Sequence, residues 1–135
     1  MRRAHDVFLF PFARSTPGIA RTKLAGFLTE NRVASAQIDD ALIVLSEMLT
    51  NAVSHGKPSD DGKIEVSWTI AKDLLEISVR DSGLDSKLQP IDFDSDSLSG
   101  RGLSIISEIA DRWWVDLADG TRVNAALRID ADQSA

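Results

Sequence analysis

One well-bounded helix limits most of what this chain can become. Residues 38–56, IDDALIVLSEMLTNAVSHG, carry apolar side chains at helical spacing and end in Gly56, with Pro58 just beyond. Glycine followed closely by proline is a strong helix stop. Ser35 is read as the N-cap, with Asp39 and Asp40 in the first turn, where the helix dipole favours carboxylates. Leu42, Leu45, Leu49, Ala52 and Val53 make an apolar side that must be covered by another layer. On the opposite side stand Glu47, Asn51 and His55, spaced by four, each rotated about 40° from the last. Ile43, Val44 and Met48 flank this polar line, and the helix holds no Lys or Arg. A carboxylate and an amide among apolar neighbours point to a lined pocket. A solvated edge is the reading that periodicity alone leaves equally open.

The rest of the chain supplies the missing layer. Val7 to Phe12 reads as a strand, and Thr16-Pro17 as an N-cap with proline at the first helical position of a helix running to about Asn31. Ile64, Val66, Trp68 and Ile70 alternate with polar residues, as do Leu75, Ile77 and Val79 across an Ala71-Lys72-Asp73 turn, so the two runs form a hairpin. The second run ends at Asp81-Ser82-Gly83. Leu84 to Ser99 has no clean period, is rich in Asp and Ser, and reads as a long loop. Gly100-Arg101-Gly102 opens a third helix with Leu103, Ile106 and Ala110 inward. Trp113 to Leu117 and Thr121 to Ile129 are strands joined by an Asp119-Gly120 turn. This order predicts an α+β fold: a two-layer sandwich of a mostly antiparallel sheet with helices on one face. The whole chain, 1–135, is expected to be a single domain.

Composition excludes several functions. The formal charge of −6 argues against a direct nucleic-acid partner, which needs a basic patch. The absence of cysteine excludes disulfides and thiolate chemistry. No apolar run is long enough for a membrane span, and the short apolar start is broken by Pro11, unlike a signal peptide. A soluble, cytoplasmic protein is expected.

Three short motifs could carry chemistry. Glu47 can act as a general base, and the Asn51 amide oxygen can bind a hard cation. Asp81 can accept a hydrogen bond from an exocyclic amine, with Gly83 letting a flat ligand approach; a plain turn is the alternative. Gly100-Arg101-Gly102 before a helix can hold phosphate through free N–H groups and the Arg101 cation. It is neither a Rossmann fingerprint nor a P-loop. Asp85, Asp92, Asp94 and Asp96 make the intervening loop acidic.

Taken together and in this order, the motifs resemble the GHKL superfamily of ATP-binding domains. In detail they resemble its anti-sigma-factor serine/threonine kinase branch. The resemblance is carried by residues 47–56 (EMLTNAVSHG), Asp81-Ser82-Gly83, and Gly100-Arg101-Gly102-Leu103 running on to Ala110-Asp111. It implies a histidine kinase-like ATPase fold that binds ATP with Mg²⁺, residues 84–99 forming a lid. It implies Glu47 as the catalytic base and Asn51 as the Mg²⁺ ligand, with His55 at the same site. Asp81 and Gly83 would meet adenine. Gly100, Arg101, Gly102 and Leu103 would wrap the phosphates, and Thr121 would lie near the base. The implied activity is phosphorylation of a serine or threonine on an anti-sigma-factor antagonist, together with sequestration of a sigma factor by a homodimer. Many superfamily members have a second glycine two positions after Gly83, where this chain has Asp85. That departure and the acidic lid motivate an alternative: a partner-binding regulatory module that holds ATP without catalysis or has lost it.

Overall fold

The computed structural model describes residues 3–83 and 103–130. Five strands, β1 (Arg3–Pro11), β2 (Lys63–Ala71), β3 (Leu74–Asp81), β4 (Arg112–Asp116) and β5 (Thr121–Arg128), form one sheet in the order β1-β2-β3-β5-β4. Every neighbouring pair is antiparallel. Helices α1 (Thr16–Glu30), α2 (Ser35–His55) and α3 (Leu103–Ile109) supply the second layer. The α+β sandwich expected from the alternation of element types is therefore the architecture observed.

The alternating strands put Ile64, Val66, Trp68, Ile70, Leu75, Ile77 and Val79 into the core, each at most 1% exposed. Trp68 anchors it, with Phe8 and Phe27 packed at centroid distances of 5.2 and 6.1 Å. Its indole N–H donates to Asp6 Oδ2 at 3.3 Å, so the largest core side chain keeps its polar atom partnered.

Local chemistry differs from expectation at two helix ends and along one helix face. Thr16 is not the N-cap of α1; Ser15 is, without a side-chain bond, and the buried Thr16 hydroxyl donates instead to Pro11 O, tying β1 to α1. Ser35 lies inside α2, whose N-cap is Ala34, and the first turn contains no acidic residue, so Asp39 and Asp40 fall beyond the strongest dipole field. The apolar side of α2 is also rotated. Val44 and Met48, expected to flank the polar line, are fully buried, whereas Leu42 and Val53 are only half-buried. The rotation arises because α2 packs between α1 and α3 as well as on the sheet, so more than one stripe is covered.

The sheet's other face carries an ion network beside exposed apolar residues. Arg80 and Arg122 stand directly opposite on β3 and β5, a repulsive pairing by itself. Glu65 bridges them, at 2.9 Å to Arg122 Nη2 and 3.7 Å to Arg80 Nη2, while Arg122 also donates to Ser78 Oγ at 2.8 Å. Replacing Glu65 with glutamine is expected to cost about 1 kcal/mol in chemical denaturation at low salt, and less at high salt. An unchanged midpoint at both salts would show that solvent already screens the two guanidinium groups. Val7 and Leu9 on edge strand β1 are 53% and 62% exposed. Among the described residues no helix is long and apolar enough to cross a membrane.

Candidate functional site

Three chain segments far apart in sequence meet where α2 and β3 end and β5 begins. Asp81, the last residue of β3, pairs in register with Thr121, the first of β5. It is only 5% exposed, and its Oδ1 accepts from Gly83 N–H at 2.8 Å and from Lys57 N–H at 3.2 Å. Ser82 N–H donates to Lys57 O at 2.8 Å, and the Thr121 hydroxyl donates to Gly83 O at 2.7 Å. These bonds hold the Asp81-Ser82-Gly83 corner against the end of α2 on one side and the start of β5 on the other.

Two glycines make the contact possible, and for different reasons. Gly56 ends α2 in extended backbone that any residue can adopt; what it lacks is room, because a Cβ there would lie 2.4 Å from Asp81 Cγ. Gly120 has φ +79° and sits against the same corner, where a Cβ would lie 2.2 Å from Asp81 O. Sequence reasoning read Gly56 as a helix stop and Gly120 as a turn residue. The second role of each depends on β3 lying beside β5 and under α2, which no local signal announces. Lys57, the residue after Gly56, adds to this: its main chain makes two of the bonds that hold the corner.

The electrostatics of the corner break a local rule. Asp81 places a carboxylate beside the negative C-terminal end of α2, where the helix dipole disfavours it. The Lys57 and Gly83 N–H donors offset that cost. A breach of local preference of this kind is expected at functional sites.

Further up α2, Asn51 is 6% exposed and its Oδ1 has no hydrogen-bond partner among the described residues. An unsatisfied buried carbonyl oxygen costs about 1–3 kcal/mol, so it marks a position that fold stability does not favour. The oxygen suits a hard cation, which takes oxygen ligands. One turn earlier Glu47 is half-buried, and with Arg21, Leu42, Ile43 and Ser46 it lines a cavity of about 350 Å³ between α1 and α2. His55, at the last turn, is exposed. Gly100, Arg101, Gly102 and the 84–99 loop lie outside the described residues, as does the side chain of Leu103, whose backbone opens α3. The site residues brought together at the corner are thus Asp81, Gly83 and Thr121, with Asn51 and Glu47 on the helix that ends there.

A family model described as the histidine kinase-like ATPase domain matches residues 13–127. The chain belongs to that family. Curated relatives include serine-protein kinase RsbW of Listeria monocytogenes, 32% identical over 105 residues, covering 69% of this chain and 67% of the relative. RsbW of Bacillus cereus is 33% identical over 126 residues, covering 85% and 79%. Anti-sigma F factor of Priestia megaterium is 32% identical over 101 residues, covering 68% and 69%. Among solved structures, the RsbU and RsbW domains of a Mycobacterium tuberculosis protein superpose with a TM-score of 0.71 at 22% identity; the match covers 96% of this chain and spans 33% of that one. A chain of the Pseudomonas aeruginosa SiaB–SiaC complex gives 0.66 at 15% identity, covering 93% and 88%. At these identities the two structures speak for the fold.

Membership in the histidine kinase-like ATPase family gives the corner a frame. The match spans the segments that meet there: the end of α2, the end of β3 and the start of β5. A buried carboxylate and a close-approach glycine stand at the corner, and a buried amide oxygen without a hydrogen-bond partner among the described residues lies further up α2.

Proposed function

We propose that this histidine kinase-like ATPase domain is a protein serine/threonine kinase of the anti-sigma type. It uses ATP to phosphorylate an anti-sigma-factor antagonist and sequesters a sigma factor. The observation that carries the reading is the line on α2 from half-buried Glu47 through the unsatisfied Asn51 oxygen to the Asp81 corner. In this reading Asp81 accepts the adenine amine, Gly83 and Thr121 lie against the base, and His55 borders the site. Gly100, Arg101, Gly102 and Leu103 bind the phosphates under a lid of about residues 84–99, all within one domain. Asn51 would hold Mg²⁺, which when bound neutralises phosphate charge. Glu47 takes the proton of the acceptor hydroxyl as that oxygen forms its bond to the γ-phosphorus, and the bond from γ-phosphorus to the β–γ bridging oxygen breaks to release ADP.

The protein is proposed to act in the cytoplasm. A second copy is proposed to cover the outer sheet face, where Val7, Leu9 and Leu74 are exposed. The alternative, a module that binds ATP and a partner without transfer, draws on Asp85, where the superfamily resemblance implies a second glycine in many members, and on the acidic 84–99 segment.

Two measurements test the reading. The first follows transfer of labelled γ-phosphate, with and without Mg²⁺, to the purified antagonist protein from the same organism. Tight ATP binding with no transfer would favour the alternative. The second concerns Asp81→Asn. An asparagine can keep an oxygen toward the Lys57 and Gly83 N–H groups but loses the charge facing the base. Calorimetry is expected to show ATP binding weakened about tenfold to a hundredfold, with little change in melting temperature. Unchanged affinity would move the base away from this corner.

A further inference from the structure

Lys57 stands at the Asp81 corner with its side chain unassigned. Its main chain is pinned from two sides: its N–H donates to Asp81 Oδ1 at 3.2 Å, and its carbonyl accepts from Ser82 N–H at 2.8 Å. The side chain therefore leaves the corner from a fixed point. A Cβ placed on Gly83 would lie 3.3 Å from Lys57 Cγ and 3.4 Å from Lys57 Cβ, so the start of the lysine stem runs alongside Gly83. We propose that Lys57 is a further nucleotide-binding residue: its methylene stem is the apolar floor on which the base rests, and its ammonium is the cation at that end of the site. The inference rests on the ATP reading above. It adds a contact one residue beyond the motif 47–56 that carried the resemblance.

Three observations select this role. The first concerns Gly83, which is not among the glycines with positive φ, so its backbone does not demand glycine. What it leaves open is space, and that space borders the Lys57 stem and Asp81 Oδ1, the latter 3.2 Å from the same Cβ position. The second is contiguity. Gly83 N–H and O are held by Asp81 and Thr121, the other two residues assigned to the base, so a planar ring over Gly83 has the Lys57 methylenes as its next neighbour. The third is charge. Lys57 is exposed, and its ammonium makes no ion pair among the described residues.

The two ends of the side chain have different tasks. Lysine covers apolar surface with its methylenes while its head stays in water. A purine buries one face on such a stem whatever its edge groups, so the stem gives affinity and Asp81 gives the choice of base. The ammonium acts on the phosphates through charge alone. The chain has a net charge of −6, and Asp85, Asp92, Asp94 and Asp96 follow Gly83, so this cation offsets part of the repulsion that a triphosphate meets. The ligand is an adenine nucleotide held at two places on the corner, by Asp81 at the edge of the ring and by Lys57 across its face.

Calorimetric titration of the full chain with ATP and with adenosine separates the two ends. Lys57→Ala removes the stem beyond Cβ and is expected to weaken both ligands about tenfold. Lys57→Met keeps a stem of similar length without the charge. It is expected to bind adenosine like wild type and ATP about twofold to fivefold more weakly at low salt, the difference vanishing at high salt. Without ligand both variants are expected to melt like wild type, since Lys57 holds the corner through main-chain atoms that neither change touches. Wild-type affinity of Lys57→Ala for adenosine overturns the stem contact. So does a Lys57→Met variant that loses adenosine as fully as Lys57→Ala, whatever the melting temperatures. A wild type that binds neither ligand removes the ATP reading and this contact with it. A wild type that binds both, with variants that match it, removes the contact alone.

Discussion

Glu47→Gln is expected to lower phosphoryl transfer to the antagonist by about a hundredfold to ten-thousandfold, the span that general-base catalysis contributes. The change keeps the shape of the side chain and removes only its ability to take a proton. Glu47 lies one turn before Asn51 and two before His55 on α2, a helix bounded at both ends by the packing around it. Its side chain is half-buried and lines a cavity that opens to solvent, so the residue is held without being sealed away. No nucleotide-binding role has been assigned to it. Calorimetric ATP affinity should thus match wild type while the single-turnover rate with bound antagonist falls. A variant that transfers phosphate at the wild-type rate would remove Glu47 from the chemistry and leave the ATP site untouched.

Gly120→Ala is expected to be the most destabilising single change at the corner, costing roughly 2–4 kcal/mol. Two penalties combine. Alanine at φ +79° pays for left-handed backbone, and its Cβ would overlap Asp81 O at 2.2 Å. The second penalty falls on backbone, which cannot rotate aside as a side chain does. Relief requires β5 to shift against β3, which breaks the Asp81–Thr121 pairing and the Thr121 bond to Gly83. A drop in melting temperature of roughly 10 °C follows, with ATP affinity reduced further than the lost stability explains. A variant that melts like wild type would mean that the turn relaxes independently of the corner, and that the corner is not rigidly coupled to β5.

The fold was open to reading because its signals are local and repeated. Ile64, Val66, Trp68 and Ile70 alternate strictly, and one face of a sheet is the only place such a pattern can be buried. Helix ends follow residue type less closely. Thr16 and Ser35 are good capping residues by type, yet neither caps. Thr16 finds a better partner in Pro11 O, and the contact exists only once β1 and α1 are folded together. The rotation of α2 has a similar origin. Periodicity defines an apolar side against one neighbour, whereas α2 has neighbours on several sides, and Val44 and Met48 are buried as a result.

The functional residues divide the same way. Glu47, Asn51, Asp81, Gly83 and Thr121 were identifiable from residue type and order, because their motifs are contiguous or evenly spaced. Which of them meet could not be known from spacing. Asp81 and Thr121 are forty residues apart in the chain and are register partners in the sheet.

By itself, the sequence determined the succession of strands and helices, the face each strand buries, and the chemical types available at the site, since these follow from periodicity and residue type along a single segment. Only the tertiary structure decided that Asn51 is buried without a hydrogen-bond partner among the described residues, that Gly56 and Gly120 are glycine because Asp81 occupies the space of their Cβ atoms, and that a cavity opens beside Glu47. Burial, close approach and empty volume belong to pairs of segments. They come into existence when those segments pack.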